Sequence, residues 1–273
     1  MKSCFYLIAI VAFLLSACSV TDKFLGTENC TGEVDILART FETYKYKAQD
    51  ISPLIEKSGV LKLADKSLTE NYAKVTSWIK DIPSLDRVHK EATKYLVSSN
   101  SNFLKAVDEH DILNKLEKEL SLLSQNASED EKQAKYLEIL SDPELQNKIQ
   151  ELLSSSQQIS FERKEFLDKA YAYLSYALIY DADSIGLSSL VVTQGKSQIE
   201  SIKSSMNDPI STAQKSRCLQ KSVSAATDIV TEATQQVTPA VNIYNAIVQL
   251  YSDNDYSLPE ITSAEGKPIT TDL

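Results

Sequence analysis

The sequence predicts an all-α, elongated helical bundle that ends in a long antiparallel C-terminal hairpin, and three observations predict it. Six glycines and seven prolines are all that interrupt 273 residues otherwise rich in Ala, Leu, Lys, Glu, Gln and Ser, a composition that favours helices over sheets. Apolar residues recur at steps of three and four along most of the chain, the stripe by which a helix packs into a bundle. Tyr171, Leu178, Ile185, Val192, Ile199 and Met206 then recur every seven residues without a miss, which makes a sustained helical seam.

The elements follow in order. Val34, Leu37, Phe41, Tyr44, Ala48, Ile51 and Ile55 form the first stripe, kinked or restarted at Pro53 because proline fits a first turn but not a helix interior. Gly59 separates it from a second stripe, Leu61 to Ile82, which Pro83 ends. A helix over 85–98 (Leu85, Val88, Ala92, Tyr95) and another over 102–124 (Phe103, Val107, Leu113, Leu116, Leu120, Leu123) come next. Ser128–Glu131 and Ser141–Glu144 each have the form of a capping box, an oxygen acceptor followed three residues later by a glutamate, and each should start a short helix.

The hairpin arms are expected over about 161–206 and from Pro209 to about 251. The second arm carries Leu219, Val223, Ala226, Val230, Ala233, Val237, Ala240, Tyr244, Ile247 and Tyr251 on its seam. Small residues on both arms, Ala182, Ser189 and Gly195 facing Ala226, Ala233 and Ala240, should let the two axes approach closely. Pro239 should bend the second arm. The domain plan is then one helical domain over 33–252, shorter helices over 33–158 and the hairpin over 161–252, followed by a flexible acidic tail over 253–273.

Residues 1–17 read differently. Lys2 gives a positive start, residues 5–15 an apolar run of eleven, and Ser16-Ala17 small residues suited to cleavage. Eleven apolar residues fall short of the roughly twenty a membrane span needs. Leu15-Ser16-Ala17-Cys18 resembles the lipobox of bacterial lipoproteins. That resemblance implies lipidation of Cys18, loss of residues 1–17 as a signal peptide, and a tether over 18–32. Ser19, rather than aspartate, after the cysteine implies the outer membrane, facing the periplasm. An acyl anchor is expected to hold the protein there, since buried methylenes contribute about 0.8 kcal/mol each and more than one chain makes attachment stable.

With Cys4 in the signal peptide and Cys18 lipidated, Cys30 and Cys218 remain and are expected to form a disulfide in an oxidising compartment. The formal charge of −10 becomes one unit more negative when Lys2 leaves with the signal peptide. So acidic a surface repels nucleic acid and anionic lipid, and no nucleic-acid partner is expected.

Chemistry is sparse. The two histidines are His89, one turn after Leu85 and expected as a half-buried packing residue, and His110 in Asp108-Glu109-His110-Asp111. Asp86 and His89, three apart, could offer two ligands to zinc where a site needs at least three, so neither a metal site nor a cofactor is expected. Metalloprotease, phosphate-loop and nucleophile-elbow motifs do not occur in the sequence.

The most unusual stretch is 170–181, with Tyr171, Tyr173, Tyr176 and Tyr180 around one helix. Such a helix belongs at the centre of a bundle. Tyr173, Tyr176, Tyr180 and Asp181 are its candidate contacts to an apolar ligand or a partner helix. Asp181 falls on the seam seven residues after Leu174, and a slight roll that seats Ala182 there is expected to turn it to water. The lone Trp78 is expected in the core or at its edge. The expected function is that of a non-catalytic, lipid-anchored scaffold or interaction module for another envelope protein. The alternative is a binder of a lipid or other apolar small molecule along 170–181, and an enzyme using carboxylates alone is a third class.

Overall fold

The computed structural model describes Leu68, Tyr72 and residues 84–123, 126–154, 158–204 and 209–261. The expected signal peptide and tether, Cys18, Cys30, Trp78 and most of the first two expected helices lie outside the described residues. Within them the chain is all-α: α1 (Leu85–Ala106), α2 (His110–Ser121), α3 (Glu129–Leu140), α4 (Pro143–Ser154), a 3-10 turn (Phe161–Arg163), α5 (Lys164–Ser204) and α6 (Pro209–Asp253).

Ser84 begins α1, its hydroxyl accepting from the Arg87 N–H at 3.2 Å, as an N-cap should. The expected break near residue 100 does not occur. Ser98, Ser99, Asn100, Ser101 and Asn102 are weak helix formers, yet α1 runs through them and every one is buried. Ser98 donates to the Lys94 carbonyl at 2.9 Å and Asn102 to the Ser98 carbonyl at 2.9 Å. Ser99 donates to the Ala170 carbonyl of α5 at 2.8 Å. Short polar side chains here let α1 lie close against α5, and tertiary packing overrides local preference.

The helix ends instead at Asp108, whose φ of 63° is left-handed. The Glu109 N–H reaches back to the Leu104 carbonyl at 3.0 Å and the Asp108 N–H to that of Lys105 at 3.4 Å, a Schellman closure normally made with glycine.

The first capping box forms as expected: the Ser128 N–H donates to Glu131 Oε2 at 2.7 Å and the Glu131 N–H to Ser128 Oγ at 3.2 Å. The second does not. Ser141 closes α3 by donating to the Leu137 carbonyl at 2.8 Å, and Asp142 caps α4, accepting from the Glu144 N–H at 2.8 Å. Pro143 then occupies the first helical position, where its fixed φ suits the start and its missing N–H costs nothing.

Helix α5, at 41 residues about 60 Å long, is the axis of the core. Tyr171 meets Tyr244 with ring centroids 5.4 Å apart and a 3.1 Å contact between hydroxyls, while Tyr251 donates to Asp168 at 2.6 Å. Further along, Val191 packs with Leu219 and Ala226 in a second, smaller cluster. Numbers rise along one arm as they fall along the other, so α5 and α6 form an antiparallel hairpin. Ala226, Ala233 and Ala240 are fully buried on the seam. Helix α1 covers a different side of the proximal half of α5, and Tyr72 reaches Asp183 from another.

Residues 254–261, the part of the expected tail after α6 that is described, pack against the body. Asp255, at φ 56°, closes α6 as Asp108 closes α1, with the Tyr256 N–H donating to the Tyr251 carbonyl at 2.8 Å. The Tyr256 hydroxyl then donates to the Ile159 carbonyl at 2.9 Å, and Asn254 accepts from the Ile159 N–H at 2.8 Å. Ile261 is buried in the core. The segment through residue 261 is therefore docked, and the rest of the expected tail, 262–273, lies outside the described residues.

Candidate functional site

Three helices bring together charged groups that sequence spacing keeps far apart. His89 of α1 is 3% exposed. Its Nε2 lies 3.0 Å from Glu232 Oε2 on α6, and its Nδ1 lies 3.7 Å from Asp181 Oδ1 on α5, an ion-pair separation too long for a hydrogen bond. Glu232 retains 40% of its side-chain exposure, so the cluster has one wet end and one dry end.

Burial alone would lower the His89 pKa, but the carboxylates of Asp181 and Glu232 win and push it up to about 9. His89 holds Glu232 below the usual carboxylate range. Burial raises Asp181 against the opposing pull of His89. Two residues further along α5, burial raises Asp183 to about 7, opposed by the Tyr72 hydroxyl that donates to it at 2.8 Å. A histidine with a pKa near 9 already carries its proton at neutral pH, whereas a general base works best with a pKa near the operating pH. The arrangement therefore pairs charges rather than poising a base.

A neutral layer sits one turn further along α1. Thr93 donates to the His89 carbonyl at 3.2 Å and accepts amide N–H groups from Gln133 of α3 at 2.9 Å and Gln236 of α6 at 3.3 Å. This hub ties α1, α3 and α6 together. Among the described residues, both Asp181 oxygens, His89 Nδ1, both amide atoms of Asn100, and the Ser184 and Ser188 hydroxyls are buried without a hydrogen bond. Unmet polar atoms in a core each require an explanation.

The sequence-selected residues fare variously. Tyr173, Tyr176 and Tyr180 are buried and enclose Tyr95 of α1, with centroids 5.9, 5.1 and 5.7 Å from its ring. Rings at this spacing stabilise a core beyond their buried area. Asp181 does not face water: the middle of α5 is covered by α1 and α6 and approached by Tyr72, so no roll of the helix finds solvent. Cys218 is buried and disulfide-bonded; Cys30 lies outside the described residues. Asp86 pairs with Lys90 at 2.7 Å instead of joining His89, and the exposed His110 pairs with Asp108 at 3.1 Å. Among the described residues no group of three or more His, Cys, Asp or Glu could hold a metal ion.

Along the sequence His89 reads as a packing residue, and Glu232, Thr93 and Gln236 are not singled out. A signal did exist. His89, Thr93, Leu96 and Asn100 follow helical spacing on the face of α1 that carries the apolar stripe, and Glu232 and Gln236 are four apart on α6.

Compared with known proteins, the chain matches no family model, no curated protein and no solved structure.

Proposed function

We propose that the chain is an envelope lipoprotein, anchored through acyl groups on Cys18, whose helical body is a non-catalytic scaffold or interaction module for another envelope protein. The observation that carries the anchor is the order of Lys2, the apolar run and Leu15-Ser16-Ala17-Cys18. No described helix is long and apolar enough to cross a membrane, so an acyl anchor adds an attachment that those helices do not supply. Supporting a non-catalytic body, its one buried histidine is held protonated between two carboxylates. The competing idea of a ligand along 170–181 needs room that Tyr95 fills.

Metabolic labelling with an alkyne fatty acid tests the anchor. The wild-type protein takes up label and sediments with the outer membrane, while Cys18→Ala loses both; labelling of Cys18→Ala would sink the reading. In-cell crosslinking with mass spectrometry tests the partner, and a body that crosslinks to no envelope protein speaks against an interaction role. The pairing of Cys30 with Cys218 predicts that Cys30→Ser leaves Cys218 open to alkylation in unreduced protein.

A further inference from the structure

A cleft of about 510 Å³ lies where α1, the corner between α3 and α4, and α6 meet, a size that suits a small molecule. His89 and Thr93 of α1 meet Glu232 and Gln236 of α6 in step, so the two helices run the same way. Glu232 therefore stands at one end of the cleft, and Ile243 lies about 16 Å further along α6. The walls are apolar, made by Leu96, Leu137, Leu140, Ala240 and Ile243.

What the lining offers to hydrogen-bond is lopsided. Its donors are mostly spent inside the protein: Gln236 on Thr93 at 3.3 Å, Gln146 on the Leu140 carbonyl at 2.8 Å and Ser141 on the Leu137 carbonyl at 2.8 Å. The Asn100 amide is sealed from solvent and offers nothing to the cleft. Among the described residues no Lys or Arg lines it, and Glu232 is the one ionisable side chain in the lining. His89 engages Oε2 of that carboxylate at 3.0 Å and holds it below the usual carboxylate range, so Glu232 is charged at neutral pH. A carboxylate has about four lone-pair sites, and Glu232, with 40% of its side chain exposed, keeps acceptor capacity for a ligand.

An apolar cleft with a negative, acceptor-rich end suits a cation that donates, which is a protonated amine on an apolar body. An anion would meet Glu232 and no cation to offset it. The formal charge of −10 draws cations from a distance as well.

We propose that this cleft binds an amphiphilic amine, its ammonium group paired with Glu232 and its alkyl body laid along Leu96, Leu137, Leu140 and Ile243. The site is separate from the acyl anchor and from residues 170–181, and depends on neither.

Calorimetric titration of the detergent-solubilised full chain with octylamine, 1-octanol and octanoate at neutral pH tests the proposal at constant apolar length, the heat of each ligand entering detergent alone being subtracted. Octylamine, which is protonated at this pH, is expected to bind about tenfold or more tightly than either analogue, the gain from one hydrogen bond between charged groups. Glu232→Gln should bring octylamine down to the affinity of 1-octanol while leaving 1-octanol binding unchanged. Leu137→Lys, at a half-buried position where the lysine stem can lie along the wall, should abolish the preference for octylamine by placing a cation in the cleft. Absence of saturable octylamine binding, equally tight binding of 1-octanol or octanoate, or a preference that survives Glu232→Gln or Leu137→Lys would each overturn it. Glu232→Gln also removes a partner of His89; should it not fold, the wild-type ligand series and Leu137→Lys decide the matter.

Discussion

Replacing His89 by glutamine removes the cation from the cluster while keeping a polar side chain of similar reach. The folded-state pKa of His89 is raised from 6.5 to about 9. Its contribution to stability is therefore complete below pH 6.5, where both folded and unfolded chains hold the proton, and is lost as the pH rises through about 9. A shift of that size corresponds to about 3 kcal/mol. Solvent screening at the 40% exposed Glu232 trims it to about 2 to 3 kcal/mol. For a domain of this size each kcal/mol moves the melting temperature by roughly 2 to 4 °C. Thermal melts of wild type and His89→Gln from pH 6 to 10 should show the wild type losing that much more stability than the variant across the window. Groups outside the cluster titrate in both proteins and cancel in the difference. Asp181 from α5 and Glu232 from α6 are the charged partners facing the ring. Parallel pH profiles would refute the assignment of a proton to His89 at neutral pH.

Asp183 titrates with the same sign in a lower pH window. With its carboxyl raised to about 7, the fold holds a proton that the unfolded chain gives up above pH 4. Stability falls from pH 4 to 7 by about 4 kcal/mol, and Asp183→Asn should abolish that fall; equal slopes in calorimetric melts would count against it. Ala233→Leu inserts bulk into a fully buried seam position and should cost about 1 to 3 kcal/mol in urea unfolding. An unchanged midpoint would mean the arms are not closely packed there. Ser128→Ala removes the hydroxyl of the capping box and should cost about 1 kcal/mol by the same assay, with no loss if α3 is held by packing alone.

Helices were legible wherever a periodic stripe and a local cap coincide. The arms around Tyr171–Ile199 and Leu219–Tyr251 are examples, as is the Ser128–Glu131 start of α3. The misplaced boundaries share a cause. At Asp108 and Asp255 the chain takes a left-handed turn on residues that advertise no such turn, and at 98–102 weak helix formers continue α1 because α5 lies against them. Ser141 and Asp142 both have capping side chains, and only the end of α3 decides which of them opens α4.

The charge cluster was less legible. His89 and Glu232 look unremarkable among their neighbours and Asp181 stands out only for its place on the seam, since spacing along a chain says nothing about which faces of three helices will meet. What the residues determined unaided is local: helix content, the heptad seam, the Ser128 cap and the cysteine after an apolar run, all consequences of period and side-chain chemistry over a few turns. Tertiary structure decided the rest. It turned Asp181 inward by covering the whole circumference of α5, placed it against His89 and thereby raised a pKa. It also put Glu232 at one end of an apolar cleft. Desolvation and Coulomb pairing depend on distances between separate elements, and those exist only once the helices have packed.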